Sequence, residues 1–332
     1  MISLSEIRFL EIINNINKIK PIIVLGDVGI DKYTFGEVKR ISPEAPVPVV
    51  EVSKEWLKLG LAANVAHNLK TIGVNSTLCS VIGSDVRADV FERLLEEINL
   101  SIWGLVRDET RQTTYKERVT TNTQQICRVD YETSRPICEA TEIRLKKRLE
   151  DFSKNHSALI IEDYSKGTLT DKLIVGSIAE AKKNKIFVAV DPGKDTDPRL
   201  YTGADLIKPN LNEAKVIAEK IVGKKIEKIE DLAKTIQENL KTSSVVITLG
   251  AEGMAILDDK GYRVIPTVAT EVFDVSGAGD TSISLLVSSL LAGASLDEAA
   301  WIANCAAAVV VGKKGTATVT LSELINFFQK NK

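Results

Sequence analysis

The sequence predicts an α/β fold in which a parallel sheet is covered by helices on both faces and a small second sheet projects as a lid. Three observations predict it. Short apolar runs alternate with amphipathic stretches, five of those runs end in a polar residue, and two stretches of strand character have no helix between them. Strand alternating with helix is the pattern of a parallel sheet, because a parallel return needs a crossover that packs back on the sheet.

In chain order, MISLSEIRFLEIINNINKIK carries Glu6, Arg8 and Glu11 among its apolar positions, which is an amphipathic helix and not a secretory leader. PIIVLGD (21–27) is a buried strand whose Gly-Asp end opens a loop. VPVVEV (47–52), after the stiff PEAPVP, and TTYKERVTT with QQICRVDYE (113–132) alternate Thr, Val and charged residues, as a half-exposed sheet does. They place lid segments at about 32–54 and 108–132 within one domain spanning 1–332. ALIIED (158–163), IFVAVDP (186–192), DLIKPN (205–210) and SVVITLG (244–250) are further strands. LTDKLIVGSIAEAKKNK (169–185), LNEAKVIAEKIVG (211–223) and IEDLAKTIQENL (229–240) are the helices between and after them. The runs end at Asp27, Asp163, Asp191, Asn210 and Thr248, so a polar cleft is expected at the carboxyl edge of the sheet, where open α/β sheets bind ligands.

FDVSGAGDTS (273–282) precedes SISLLVSSLLAGA, long enough for a buried helix. Gly277, Ala278, Gly279 and Asp280 then form its N-terminus, where unpartnered amides and the macrodipole favour an anion. Read alone, Asp280 is equally a helix cap. SLDEAAWIANCAAAVVVGKKG (295–315) is a helix with a small-residue face suited to packing against that one.

Composition bounds the function. The chain has 332 residues, 44% hydrophobic and 27% charged, with net charge −2 and a pI near 5.9, so no basic field points to nucleic acid or an anionic membrane. Four scattered cysteines (Cys79, Cys127, Cys138, Cys305) and two histidines give no zinc spacing and suit a reducing, cytoplasmic setting. No apolar run is long enough to span a bilayer.

Four motifs in this order, GDVGID (26–31), NLNE (210–213), TLGAEG (248–253) and DVSGAGDT (274–281), give a resemblance to the PfkB, or ribokinase-like, carbohydrate kinases from about residue 20 to 325. The resemblance implies a Rossmann-like three-layer α/β/α ribokinase-like fold. It also implies transfer of a phosphoryl group from ATP, with Mg²⁺, to a sugar hydroxyl. With no side chain at Gly277 or Gly279 to block the approach, amides of Ala278, Gly279 and Asp280 would grip the transferring phosphate, and the Asp280 carboxylate, kept ionised by the helix end, would be the general base. Lys194, Asn210, Glu213, Thr248, Gly250, Gly253 and Asn304 would hold the nucleotide, Glu213 acting on magnesium through water. From the residues alone, Asn210 and Glu213 equally form a capping box, and TLGAEG a turn between strands. Asp27, Asp31, Gly60 and Asn64 would hold the sugar, although one of the two aspartates equally caps the turn after the first strand. Asp274 and the backbone around Gly315 resemble a monovalent-cation (K⁺) site.

RISPEAPVPVV (40–50), the Lys116/Arg118 stretch with QQICRVDYE, and DYSKG (163–167) are similar to the heptose-phosphate kinases within that family. This narrower likeness implies phosphorylation of the anomeric hydroxyl of D-glycero-β-D-manno-heptose 7-phosphate, with Lys116, Arg128 and Lys166 as cations for the phosphate already present. It also implies a homodimer paired through the lid. Bifunctional relatives continue into a nucleotidyltransferase; this chain carries no HxGH motif, so a stand-alone kinase is expected. Three departures stand out: Leu61 replaces the second of a glycine pair, DPGK (191–194) shifts a lysine by one position, and Ser276 replaces Thr. The alternatives are a kinase of ribose, fructose or a hexose phosphate, or a catalytically silent sugar-binding relative.

Overall fold

Unbroken burial of the first apolar run puts it at the centre of the sheet. In the computed structural model, which describes residues 4–268, 275–313 and 315–330, helix α1 (Glu6–Ile16) leads into strand β1 (Ile22–Gly26). Two long lid strands follow, β2 (Val28–Ile41) and β3 (Pro48–Leu61), then α2 (Ala62–Thr71), β4 (Ser76–Gly83), α3 (Val86–Glu97) and β5 (Leu105–Asp108). The lid resumes with β6 (Thr114–Thr120) and β7 (Gln125–Tyr131). Next come α4 (Glu139–Ser153), β8 (Ala158–Glu162), α5 (Asp171–Lys183), β9 (Phe187–Asp191), β10 (Leu206–Ile207), α6 (Leu211–Val222), α7 (Ile229–Leu240) and β11 (Ser244–Thr248). A hairpin, β12 (Met254–Asp258) and β13 (Gly261–Ile265), precedes α8 (Ala278–Leu291), α9 (Leu296–Val311) and α10 (Leu321–Lys330).

The main sheet runs β13-β12-β11-β10-β9-β8-β1-β4-β5. It is parallel from β5 to β11 and antiparallel at β12 and β13, where the sequence predicted a parallel sheet. The reversal is local: TLGAEG turns the chain through Gly250 (φ 60°) and Gly253 (φ 99°), conformations that favour glycine. Alternate residues of β1 face opposite layers. Ile22 and Val24 join the core with α1, α2, α8 and α9, while Ile23 and Leu25 join the core with α4 to α7. This is the three-layer α/β/α ribokinase-like architecture. Each large apolar side chain so buried stabilises the fold by roughly 1.5–3 kcal/mol.

Helix α8 is buried along most of its length because it packs between α2 and α9, against the buried alanines of α9. Its serines remain compatible with that burial where they back-bond: Ser282 donates to the Ala278 carbonyl and Ser284 to that of Asp280, both at 2.7 Å. The lid is a four-stranded sheet, β3-β2-β6-β7, and β2 leaves β1 after a single residue, Asp27. Its register sets Asp31 opposite Lys58 and Lys116, and Tyr33 opposite Trp56 and Arg118. Among the described residues no helix is long and apolar enough to cross a membrane.

Candidate active site

At the carboxyl ends of the strands, between the main sheet and the lid, lies a cavity of about 750 Å³. Its floor is the start of α8. Gly277 is the N-cap with φ 81°, and a Cβ there would fall 2.8 Å from Asn64 Nδ2 and 3.2 Å from Thr316 Cγ2. Glycine is required on both counts. Gly277, Gly279 and Asp280 line the cavity. Ala278 does not belong with them as a donor: its amide is taken by the Val275 carbonyl at 3.2 Å, which closes the turn into the helix. Among the described residues the amides of Gly279 and Asp280 have no protein acceptor, so they are the donors an anion would meet.

Asp280 is buried, with Oδ1 accepting from the Tyr164 hydroxyl at 2.5 Å and Oδ2 from Asn64 Nδ2 at 2.6 Å. Burial pushes its pKa up to about 6, against the pull of those two hydrogen bonds. The helix end therefore does not hold Asp280 in the ordinary carboxylate range, yet the group is still mostly ionised at neutral pH. Tyr164→Phe removes the larger of the two stabilising hydrogen bonds, so the pKa must rise further. Because a base works only when ionised, the acid limb of the kcat/KM profile is expected to move up by about one pH unit. Turnover measured between pH 5 and 8 checks this; an unmoved limb removes Asp280 as the titrating base.

Beside Asp280 runs a row of ionisable groups across adjacent strand ends. Glu162 on β8 is in register with Gly26 and Asp191, and Lys208 follows β10 next to Asp191. Lys208 is 2% exposed and its ammonium lies 2.7 Å from Asp191 Oδ2. Burial works against its charge, but Asp191 and Glu162 overcome that and hold the pKa above the ordinary lysine value. Glu162 is fully buried, and among the described residues neither carboxyl oxygen has a hydrogen-bond partner. Burial, reinforced by Asp191 and Asp280, pushes its pKa well up and disfavours its charged form.

At the lid end, Asp31 accepts from Arg118 at 2.7 Å and from Thr316 Oγ1 at 2.9 Å, and all three line the cavity. Gly60 leaves room for this: a Cβ there would meet Asp31 Oδ2 at 2.8 Å. Lys116 and Lys166 also line the cavity and share one carboxylate, Glu132, at 3.6 and 2.7 Å. Two ammonium groups on one carboxylate leave an excess positive charge. Leu61, on the same wall, has φ 59° and ψ −140°, a backbone proper to glycine. Leucine thus replaces glycine without relaxing the chain, at a strain of about 1–3 kcal/mol.

Three sugar-side expectations are corrected. Asp27 is 2% exposed and off the cavity wall, its carboxylate taken by the amides of Tyr164, Lys166 and Thr168 at 2.9–3.3 Å. It shapes the DYSKG loop, and its burial off the wall keeps it from a sugar in the cavity. Asn64 reaches Asp280 instead of the open cavity. Arg128, on the edge strand β7, is off the cavity wall and paired with Asp130 at 2.7 Å, and Arg118, opposite it on β6, lines the cavity in its place.

On the nucleotide side, Lys194, Asn210, Glu213, Thr248 and Gly250 line the cavity. Asn210 and Glu213 do form a capping box on α6, with bonds of 2.9 and 2.8 Å, but it engages one atom of each side chain. A bridge between Asn210 and Thr248 brings the two strand ends together. The DPGK order has a packing reason: a Cβ at Gly193 would lie 2.6 Å from the Asp163 carboxyl, so lysine fits only at 194. Asp163 fixes that loop through Thr196 and Tyr201, each at 2.6 Å. Gly253 and Asn304 are not on the wall. A Cβ at Gly253 would collide with the Ile265 carbonyl, and Asn304 donates to the carbonyls of Ile265 and Pro266, so both secure the end of β13. Asp274 lies outside the described residues.

Sequence reasoning passed over Tyr164, Glu162, Lys208 and Thr316. The first three stand inside motifs already singled out, DYSKG, ALIIED and DLIKPN, but only the strand register shows that they converge. Thr316 carries no local signal.

The pattern described as pfkB family carbohydrate kinase matches residues 28–323. The bifunctional protein HldE of Sulfurimonas denitrificans is 42% identical over 304 residues, which is 91% of this chain and 63% of that protein. The chain thus spans a little under two thirds of the curated relatives it matches. Phosphofructokinase-2 from Escherichia coli, in complex with substrates and products, superposes with a TM-score of 0.78 at 18% identity over 94% of this chain and 99% of that one. Ribokinase from Arabidopsis thaliana, complexed with ribose and ATP, gives 0.71 at 17% over 94% and 99%.

Proposed function

The chain belongs to the pfkB family of carbohydrate kinases, phosphotransferases with an alcohol acceptor, and from that premise we propose that it uses ATP to phosphorylate the anomeric hydroxyl of D-glycero-β-D-manno-heptose 7-phosphate. The product is the 1,7-bisphosphate, on the route to ADP-heptose and the lipopolysaccharide core, made in the cytoplasm. The observation that carries this reading is one cavity with Asp280 at a glycine-rich helix tip on its floor and Lys116, Arg118 and Lys166 at its far end. The sequence likeness to heptose-phosphate kinases supplies the sugar.

Asp280 takes the proton of the attacking hydroxyl, and the amides of Gly279 and Asp280 receive the transferring phosphoryl group. Lys208, beside the Gly279 amide side of the cavity, adds positive charge where negative charge spreads. Asp31 accepts hydrogen bonds from the sugar, and the excess charge on Lys116 and Lys166 receives its phosphate. Asn210, Glu213, Lys194, Thr248 and Gly250 hold the nucleotide. Among the described residues no three acidic or histidine groups are close enough to chelate a metal unaided, so magnesium fits here as the nucleotide's hydrated ion beside Glu213. When bound, it neutralises charge on the phosphates. The exposed Val38, Ile41 and Val52 on the outer half of β2 and β3, with Val47 in the connection between them, suit a homodimer paired through the lid.

ADP release across a panel of sugars and sugar phosphates tests the assignment. The heptose 7-phosphate is expected to react with a kcat/KM at least about 10²-fold above the unphosphorylated heptose, the worth of one or two charge-assisted phosphate contacts. Release only with a pentose or hexose overturns the heptose, and no release with any acceptor overturns catalysis.

A further inference from the structure

A hydrogen-bond relay that this chemistry does not use ties the acceptor end to Thr316, which packs against the helix tip. On the lid, Asp31 Oδ1 accepts from Arg118 and Oδ2 from Thr316 Oγ1. The Tyr33 hydroxyl lies 3.1 Å from Thr316 Oγ1 and accepts from the Thr316 amide at 3.0 Å. The single Oγ1 proton goes to Asp31, so Tyr33 must donate to Oγ1 while its oxygen receives the amide. One proton arrangement therefore satisfies every group.

The relay is also held by packing. The Tyr33 ring covers Gly315, where φ is 65° and a Cβ would fall 2.9 Å from ring Cζ. Behind it the ring stacks on Trp56 at 5.5 Å, and the Lys58 ammonium bonds the Thr316 carbonyl. On its other side Thr316 abuts the helix tip, its Cγ2 3.2 Å from where Gly277 would carry a Cβ. One short segment is thus gripped by β2 and β3 and lies directly against the N-cap of α8.

We propose that Tyr33 is a positioning residue that couples acceptor binding on the lid strands to the phosphate-gripping tip of α8, so that ATP is spent on sugar in preference to water. This rests on the kinase reading. Acceptor contacts at Asp31 and Arg118 order β2, Tyr33 passes that order to Thr316, and Thr316 fixes Gly277. Coupling between two sites is reciprocal, so a nucleotide at the tip must also order β2.

Tyr33→Phe keeps the ring, its stacking and the cover over Gly315, and removes both hydroxyl bonds. ADP release by the full chain is expected to lose about tenfold of its stimulation by acceptor, with acceptor-independent ATP hydrolysis and the KM for ATP unchanged. Hydrogen exchange with magnesium AMP-PNP gives a second readout that needs no sugar. The wild type is expected to gain protection at residues 277–281 and at 29–35, and Tyr33→Phe only at 277–281. Wild-type stimulation in the variant, or equal protection of 29–35 in both proteins, overturns the coupling alone. No protection of 277–281 in the wild type overturns the kinase reading and the coupling with it.

Discussion

Asp280→Asn is expected to lower phosphoryl transfer by about 10²–10⁴-fold, the usual worth of a positioned general base, while melting at the wild-type temperature or above it. The two effects have one cause. The carboxylate sits where burial opposes its charge, raising its pKa to about 6. A raised carboxyl pKa means that the folded state gives up stability as pH rises from the unfolded value towards 6, so at pH 7 the ionised Asp280 is a net burden on the fold. Asparagine removes the charge and keeps the pairing. Its oxygen accepts from Asn64, and its amide donates to the Tyr164 oxygen, which accepts as readily as it donates. Lost activity therefore cannot be blamed on lost structure. Parallel thermal melts and ADP-release assays check both halves; turnover near that of the wild type sinks the base assignment.

How far the sequence speaks depends on whether a residue's role is local. The helix tip was legible because Gly277 and Gly279 beside Asp280, ahead of a buried helix, suit an anion site as well as a cap, the other three motifs tipped the balance, and the structure places all three residues on the cavity wall. The strand endings were legible for a similar reason: Asp163, Asp191, Asn210 and Thr248 all line or brace the cavity. Asp27 shows the limit. It ends a strand just as they do, but the lid leaves the sheet at that residue, so its oxygens go to the amides of a loop some 140 residues later. Ala278 fails for a subtler reason, since a left-handed Gly277 turns its amide back onto Val275. Arg128 and Arg118 sit opposite each other on neighbouring strands and share a face of the lid, but β7 is the edge strand, where Arg128 pairs with Asp130, and only Arg118 lines the cavity. A parallel sheet was anticipated, and the antiparallel return of β12 on β11 was left open because TLGAEG suits both a nucleotide loop and a reversal.

Lys208→Met is the second large effect, this time on stability: a loss of about 3–5 kcal/mol, or roughly 5–10 °C in Tm. Methionine matches the lysine stem, so no cavity opens, and the loss is electrostatic. Lys208 is the cation in the row Glu162–Asp191–Lys208, and without it two carboxyls face each other inside the protein with no counter-charge beside them. Both already have pKa values above the ordinary range because of burial, and loss of Lys208 raises them further. The folded chain then holds protons that the unfolded chain has released above about pH 4.5, so stability falls as pH rises. The Tm deficit must accordingly be larger at pH 8 than at pH 5. Adding Asp191→Asn removes the stranded charge and is expected to restore more than half of the loss, because deleting both partners of a buried pair costs far less than deleting one. A deficit independent of pH and untouched by Asp191→Asn would assign Lys208 to packing, and would take from the site the buried positive charge that balances its carboxylates.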